Sequence, residues 1–326
     1  MTSVAPTGRA AGVVRESLPD AGRPLETEYR PRHPLDLRRT VLVQRRGAND
    51  PAFVVAGPVL WRASRTPEGV ATLALREGAG GAVRAAAWGP GREWALAQVP
   101  ALCGADDDPT GFDASKHPLI ADAHRRNPGL RLSATGLVFD ALACAIFEQK
   151  ITGMQAFAAW RRLLTRFGER APGPTPRAMF APPTIDGWRR IPSWAWHRAG
   201  LEPPQAKTLV RAAQRGESLV RSVLAADDGE AVDRVLVSQP GIGPWTSAET
   251  RIRALGDPDA VSVGDYHLAH EVGYALTGKR VDDDGMLRLL APWAGQRQRV
   301  IRLIYASGVS EPRRGPRMSI NDNRER

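Results

Sequence analysis

Residues 239–268, QPGIGPWTSAETRIRALGDPDAVSVGDYHL, hold two glycines around one isoleucine and, twenty positions after Trp245, a single aspartate. Glycine adopts positive φ without penalty, and its missing Cβ lets another backbone or a ligand come close. Pro244 suits the first turn of a helix, where an N–H would have no partner. The pattern predicts two helices joined by a tight turn, with free backbone N–H groups where the second helix starts. Such groups suit a phosphate, although an isolated G-x-G is also typical of an ordinary turn.

Net charge narrows the choice of partner. The 326-residue chain carries 45 Lys and Arg against 35 Asp and Glu, a formal charge of +10. An excess of this kind favours a polyanion, most simply nucleic acid. No apolar run approaches the ~20 residues of a membrane helix, and the N-terminus lacks the layout of a secretory signal. We expect a cytoplasmic, nucleoid-associated monomer with no membrane contact.

The spacing of apolar and polar residues along the chain predicts an α+β protein with two folded parts. Residues 1–30 lack periodicity, as do the polar residues 311–326, and both segments are expected to be disordered. Residues 31–108 alternate short apolar runs with Gly, Pro, Asn and Asp, which is typical of an antiparallel sheet. Residues 109–310 carry apolar side chains at three- and four-residue spacings, which predicts an all-helical domain.

The hairpin and its downstream aspartate resemble the helix-hairpin-helix DNA glycosylases, in the 3-methyladenine DNA glycosylase II branch. Members of that branch have L/F-P-G-I-G-x-W-T-A at the hairpin and D-Y or D-D-Y at a similar distance. Residues 127–168, NPGLRLSATGLVFDALACAIFEQKITGMQAFAAWRRLLTRFG, resemble the P-G-L-R-L-P stretch of the same branch and the helix after it. The resemblance covers roughly residues 31–310. It implies a TATA-binding-protein-like sheet ahead of the helical glycosylase domain.

Asp265 is the acid that the resemblance makes catalytic. Cleaving an N-glycosidic bond builds positive charge on the sugar, and a carboxylate held in a low-dielectric pocket stabilises that charge. Enzymes that cut sugar–sugar bonds usually need a second carboxyl group to protonate the leaving group. An alkylated purine is already cationic and leaves readily, so one carboxylate suffices. Aspartate is also a common helix N-cap, and both roles fit Asp265.

The resemblance also assigns the residues that would hold DNA. The hairpin residues expected at the phosphate backbone are Gly241, Ile242, Gly243 and Thr246. Reaching the bond requires turning the nucleotide out of the duplex, and the resemblance places Gln149 and Lys150 at the tip that fills the gap. Many relatives have an apolar side chain where Lys150 stands. A lysine there would instead contact the opposite strand or a phosphate, and a solvent-exposed lysine at the helix end with neither role is an equal alternative.

An aromatic pocket is expected around the aspartate, because cationic bases are drawn to electron-rich ring faces. Its candidates are Trp245, Tyr266 and Tyr305, the last near the end of the final helix, where relatives often have a tryptophan. Glu249 departs from the apolar residue that is usual in the second hairpin helix. If it faces the pocket, it favours a cationic base.

Lyase, cofactor and metal chemistry are not expected. Lyase relatives carry a Schiff-base lysine at the position of Trp245, and no lysine stands within thirty residues of it. The two cysteines, Cys103 and Cys144, exclude a Cys-rich iron–sulfur loop and a disulfide framework. His267 and His270 have no third ligand at matching spacing. We predict no cofactor and no catalytic metal.

The leading interpretation is a monofunctional DNA glycosylase that excises alkylated purines from damaged double-stranded DNA in base excision repair. A glycosylase for deaminated or oxidised bases is the first alternative, because it would share the scaffold and differ only in its pocket lining. A non-catalytic helix-hairpin-helix DNA-binding protein is the second. Such a module has no need of Asp265 at its fixed distance.

Overall fold

A computed structural model describes residues 22–312. Residues 1–21 and 313–326, which hold most of the two segments predicted to be disordered, lie outside the described residues. The architecture is a five-stranded antiparallel sheet followed by a long series of helices, which confirms the α+β fold class.

The sheet lies in the N-terminal part of the chain. Its strands are β1 (Leu25–Tyr29), β2 (Phe53–Ala56), β3 (Val59–Thr66), β4 (Gly69–Glu77) and β5 (Val83–Trp88). They follow the order β1-β5-β4-β3-β2, and each neighbouring pair is antiparallel. Strand β4 is buried on both faces, because Leu73 and Leu75 enter one core and Val70 enters another.

Strand β1 corrects the prediction of disorder through residue 30. Leu25–Tyr29 pairs with β5 from Leu25↔Ala87 to Tyr29↔Val83. Its three central residues are exposed, and Tyr29 is partly buried against the core. Leu25 and Tyr29 alternate with Glu26 and Glu28, which is the signal of a half-buried strand, but the run is only five residues long.

The α-helices of the described residues are α1 (Leu37–Val41), α2 (Arg92–Ala97), α3 (Val99–Leu102), α4 (Pro118–Arg126), α5 (Val138–Glu148), α6 (Gly153–Phe167), α7 (Ile185–Arg190), α8 (Ser193–Ala199), α9 (Pro203–Gln214), α10 (Gly216–Leu224), α11 (Gly229–Val237), α12 (Pro244–Ala254), α13 (Leu268–Thr277), α14 (Asp283–Leu290) and α15 (Arg297–Ser307). None of them has the length and apolar composition to cross a membrane.

Helix α1 is a second departure from the predicted sheet region. The Asp36 carboxylate accepts the backbone N–H of Arg39 at 2.9 Å and so caps the helix. Leu37, Thr40 and Val41 are buried, at the three- and four-residue spacing of a helical face. The segment covers the sheet instead of extending it.

The sheet and the helices share a core. Two short strands between α6 and α7, β6 (Glu169–Arg170) and β7 (Phe180–Ala181), bring Met179 beside Val54 and Ala63 of the sheet. At the predicted boundary, Asp107 is buried and pairs with Arg299 of α15 at 2.5 Å. The division into folding units at residues 31–108 and 109–310 stays a prediction.

Helix α12 is placed by close packing on α5. Its residues Ser247, Ala248 and Thr250 are buried, and such small side chains let two helix backbones approach closely. Ile242, in the turn before α12, enters the same core as the buried face of α5. The turn therefore has a fixed position relative to the end of α5.

Candidate functional site

The turn between α11 and α12 has the tight form that its glycines predict. Gly241 has φ +90°, and a Cβ added there would lie 2.3 Å from Thr208 Oγ1 of α9. Glycine is required at this position for both reasons. Ile242 is only 5 % exposed, and its N–H donates to the carbonyl of Gln239 at 3.1 Å. The buried Ile242 thus holds the turn in place, and its predicted contact with the DNA backbone stays a prediction.

The start of α12 is open. Gly243 is extended, with φ −104° and ψ −178°, and makes no side-chain cap to the helix. Nothing lies within 4 Å of a Cβ built at Gly243. Among residues 22–312, no acceptor is found for the amide N–H groups of Gly243, Trp245 and Thr246. These donors and the positive end of the helix dipole form a site that suits one anion.

Gln149 and Lys150, predicted at the duplex-filling tip, have different environments. The Gln149 side-chain amide donates to the carbonyl of Gly241 at 3.0 Å and to Thr246 Oγ1 at 2.8 Å. This amide fastens the hairpin to the end of α5, and the predicted role of Gln149 at the duplex stays a prediction. Lys150 is exposed at the turn before α6 and has φ +56°, a conformation that non-glycine residues adopt infrequently.

Thr246 differs from its predicted role in one respect. Its side chain is 2 % exposed and is bonded to Gln149, so only its backbone N–H remains for a ligand. Its contact with the DNA backbone stays a prediction, and the choice between backbone and side chain depends on packing.

Asp265 lies between the two helices of the site and receives three hydrogen bonds. Its Oδ1 accepts the backbone N–H groups of His267 and Leu268 at 2.8 and 2.9 Å, at the start of α13. Its Oδ2 accepts the indole N–H of Trp245 at 3.1 Å. The carboxylate is half-buried. It therefore has the capping contacts expected of a helix-start aspartate and is also oriented by the first turn of α12.

The predicted aromatic residues differ in exposure. Trp245 is half-buried, whereas Tyr266 is 74 % exposed and packs edge-on against the His267 ring at 4.8 Å between centroids. Tyr305 is 56 % exposed. The pKa of its phenol is raised to about 12, first because the surrounding protein limits hydration of a phenolate and then because the carboxylates of Asp265, Glu271 and Glu249 are near. Tyr305 thus stays neutral beside Asp265.

Glu249 is one helical turn after Trp245, and both of its carboxylate oxygens are occupied. Ser262 donates its hydroxyl to Oε1 at 2.7 Å, and the Arg253 guanidinium donates to Oε2 at 3.0 Å. Arg253 also donates to the carbonyl of Val43 at 2.6 Å. The charge of Glu249 is largely balanced by Arg253. Sequence analysis missed both partners, although a Glu and an Arg four residues apart on a helix are a recognised pairing signal.

The histidine pair does not form a metal site. The His267 ring packs edge-on against Tyr266, and within residues 22–312 no group of three or more His, Cys, Asp or Glu side chains is arranged to hold a metal ion. Both cysteines are buried, and burial raises the pKa of Cys144 to about 11 and that of Cys103 to about 12. These thiols therefore stay protonated near neutral pH and are poor nucleophiles.

Comparison with known proteins found one curated relative and several structures with a similar fold. No protein-family model matches the chain. A curated relative, the DNA-3-methyladenine glycosylase of Bacillus subtilis (strain 168), is 23 % identical over 203 residues, which are 58 % of this chain and 63 % of that protein. The chain thus spans somewhat less than two thirds of the length of this relative.

Two solved structures cover nearly the whole fold. The 3-methyladenine DNA-glycosylase from Archaeoglobus fulgidus has a TM-score of 0.73 and 16 % identity, with 86 % of this chain and 97 % of that chain covered. The 8-oxoguanine glycosylase/lyase of Clostridium acetobutylicum has a TM-score of 0.66 and 12 % identity, with 87 % and 98 % covered.

The fold is therefore that of the helix-hairpin-helix DNA glycosylases, and the resemblance seen in the sequence is confirmed. Within that class, the curated relative is a 3-methyladenine glycosylase.

Proposed function

We propose that this chain is a monofunctional DNA glycosylase that removes alkylated purines from duplex DNA. The observation that carries the proposal is the single carboxylate of Asp265, oriented by the Trp245 indole and by two amides of α13, beside a helix start with free N–H groups. The DNA glycosylase fold supports it.

DNA binding is assigned to the open start of α12. The amides of Gly243, Trp245 and Thr246 bind one backbone phosphate, and such a contact carries no sequence information. The exposed Lys150 lies at the neighbouring turn, where it is available to the duplex from which the damaged nucleotide is turned out. The hairpin therefore positions the duplex, and the pocket selects the base.

Bond cleavage is assigned to Asp265. As the N-glycosidic bond breaks, its electron pair stays with the purine and positive charge develops on the sugar, which the carboxylate stabilises. A water molecule then adds its oxygen to the anomeric carbon, and its proton passes to the carboxylate or to solvent. The alkylated purine leaves as a neutral base, so no second carboxylic acid has to protonate it.

The preference for a cationic base is assigned to the rings around the carboxylate. Trp245, Tyr266 and Tyr305 offer aromatic faces, and a cation over such a face is attracted to it. Glu249 contributes less than its charge suggests, because Arg253 and Ser262 occupy it.

A second candidate, excision of oxidised bases, has one specific observation in its favour. The 8-oxoguanine glycosylase/lyase structure covers 87 % of this chain at a TM-score of 0.66. The position of Trp245 argues against a Schiff-base enzyme of that kind, since no lysine stands within thirty residues of it.

The test is a base-release assay on duplexes that carry one alkylated, one deaminated or one oxidised base. We expect release from the alkylated duplex, with strand cleavage only after alkali. Release confined to the oxidised duplex would replace the proposal by the second candidate. Covalent trapping by borohydride would show an amine nucleophile, with Lys150 or Lys207 as the residue to test, and would contradict Asp265 as sole catalyst.

A further inference from the structure

Helix α9 lies directly beside the hairpin. Its Thr208 is the side chain that approaches Gly241, 2.3 Å from the position of a Cβ built there. Near the start of α9, the Gln205 side-chain amide donates to the carbonyl of Gln149 at 2.6 Å. The helix thus contacts the hairpin turn and also the end of α5, between the two places where DNA contact is proposed.

Two cations on α9 are exposed next to these contacts. Successive residues of a helix are about 100° apart, so Lys207 and Arg211 are about 40° from each other on the same side of Thr208. The other side of Thr208 is buried, with Gln205 and Leu209 in the interior. Lys207 and Arg211 therefore form an exposed stripe along the edge of α9 that borders the hairpin.

These two side chains are available to a ligand. Within residues 22–312, neither the Lys207 ammonium nor the Arg211 guanidinium has an ion-pair or hydrogen-bond partner. Arg234 of α11, by contrast, pairs with Glu230 of its own helix at 2.7 Å. The two cations on α9 have no such partner among the described residues.

The segment around the hairpin is acidic, so two free cations there matter for the binding of a phosphate backbone. Residues 201–277, which include the hairpin and Asp265, contain seven Lys and Arg but eleven Asp and Glu, a net charge of −4. The +10 of the whole chain therefore comes from elsewhere. A phosphate backbone lying along the hairpin meets an acidic segment, and free cations beside the turn offset the repulsion.

We propose that Lys207 and Arg211 bind backbone phosphates of duplex DNA next to the phosphate held by the start of α12. The inference rests on the proposed function, because the ligand is the DNA of that same site. The two residues are one helical turn apart, about 6 Å along the axis, while phosphates of one strand advance about 3.4 Å per nucleotide. The stripe therefore matches two phosphates of one strand, which a lysine binds as a point charge and an arginine with two donors.

The experiment measures DNA affinity as a function of salt for the full chain and for the double variant K207Q/R211Q, on matched undamaged and alkylated duplexes. Each phosphate contact contributes about 0.9 to the slope of log affinity against log salt. We expect the double variant to lose roughly tenfold in affinity for both duplexes and up to about 2 in the slope. The single-turnover rate of base release at saturating enzyme should not change, because the proposed contacts are to backbone phosphates and not to the base.

Two control variants complete the design. K207R/R211K keeps both charges and should retain affinity and slope close to wild type. Arg76→Gln removes an exposed charge from β4, on the sheet, and should leave the slope at the hairpin unchanged.

An affinity and slope of K207Q/R211Q equal to those of Arg76→Gln would overturn the inference while leaving the proposed function intact. A loss confined to alkylated DNA, or a slower release at saturation, would also overturn it, because the residues would then act on the base. If the double variant loses affinity but the wild-type protein releases no base from any duplex, the phosphate contact stands and the glycosylase function fails. Absence of DNA binding by the wild-type protein would overturn both.

Discussion

Helices α12 and α13 both start at the site, but they differ in whether their first backbone N–H groups have a hydrogen-bond acceptor. At α13, the amides of His267 and Leu268 are taken by Asp265, a carboxylate of the same chain. At α12, Gly243 offers no side-chain cap, and the first amides have no acceptor among the described residues. Both helix starts suit an anion, but the start of α13 already binds the carboxylate of Asp265.

The capped start of α13 and the uncapped start of α12 suit two different tasks, catalysis and the binding of an external anion. A capped helix start holds a permanent carboxylate at a fixed place, which transition-state stabilisation requires because the charge must be in position before the bond breaks. An uncapped start with space around it accepts an anion from outside the chain. Trp245 links the two, since it belongs to the open helix and donates its indole N–H to the carboxylate at the other.

Removing the charge at the capped helix start should have the largest effect. In Asp265→Asn, the side-chain oxygen can still accept the two amides, so the fold and DNA binding should be retained. Base release should fall by a factor of ~10² or more, because the charge that stabilises the sugar cation is lost. Asp283→Asn is the control, since Asp283 accepts the N–H of Gly264 next to Asp265 at 3.0 Å. A D265N protein with near wild-type release in single-turnover assays would refute the catalytic assignment.

The turn before the open helix start should tolerate almost no side chain at its first glycine. Gly241→Ala places a methyl group against Thr208 at a residue with φ +90°. We expect a loss of about 2 kcal/mol in unfolding free energy, from backbone strain and displacement of α9. Denaturant melts of G241A and of the double variant G241A/T208A measure it. If the steric argument holds, removing the Thr208 hydroxyl and methyl restores part of the loss.

The second glycine should tolerate a side chain sterically but not a negative charge. Gly243→Asp can cap α12 with its own carboxylate, as Asp265 does at α13, and N-cap aspartate is favourable. Stability should therefore be unchanged or higher, while affinity for damaged and undamaged duplex falls roughly tenfold by charge repulsion and loss of the free amides. Gly243→Ala, which adds bulk alone, should bind close to wild type. Weaker binding of damaged DNA only would place the turn in the base pocket.

The link between the two helix starts should give an effect no larger than that of Gly243→Asp. Trp245→Phe keeps an aromatic ring but removes the N–H that orients Asp265 Oδ2. A hydrogen bond to a charged group contributes about 1.5–3 kcal/mol, and the two remaining bonds preserve part of the orientation. We expect kcat to fall roughly tenfold, with little change in KM. A change in KM alone would show that Trp245 acts by stacking on the base rather than by positioning the carboxylate.

Much of this comparison could be predicted from the sequence. Proline after Gly243 and the apolar spacing beyond it predict the open helix start, and the lone aspartate predicts the second one. Each rests on contacts between neighbours in the chain, such as Asp265 with His267 and Leu268. Local helix-start signals of this kind can be predicted from the sequence alone.

The occupants of the site's polar groups depend on tertiary structure. Gln149 meets Thr246 from 97 positions away, and Arg253 meets Val43 from 210. Which polar groups meet over such separations depends on how α5, α9, α12 and the sheet pack. No periodic pattern in the sequence predicts these contacts. The same holds for the pairing of β1 with β5.

By itself, then, the sequence determined the helical character of the C-terminal part, the hairpin and the acid that follows it, because caps, glycine and apolar periodicity act over a few residues. Tertiary structure alone decided that Gln149 fastens the hairpin, that Glu249 is balanced by Arg253 and that Gly241 needs space beside Thr208. Each of these is a contact between elements distant in the chain, set by the close packing of one element against another.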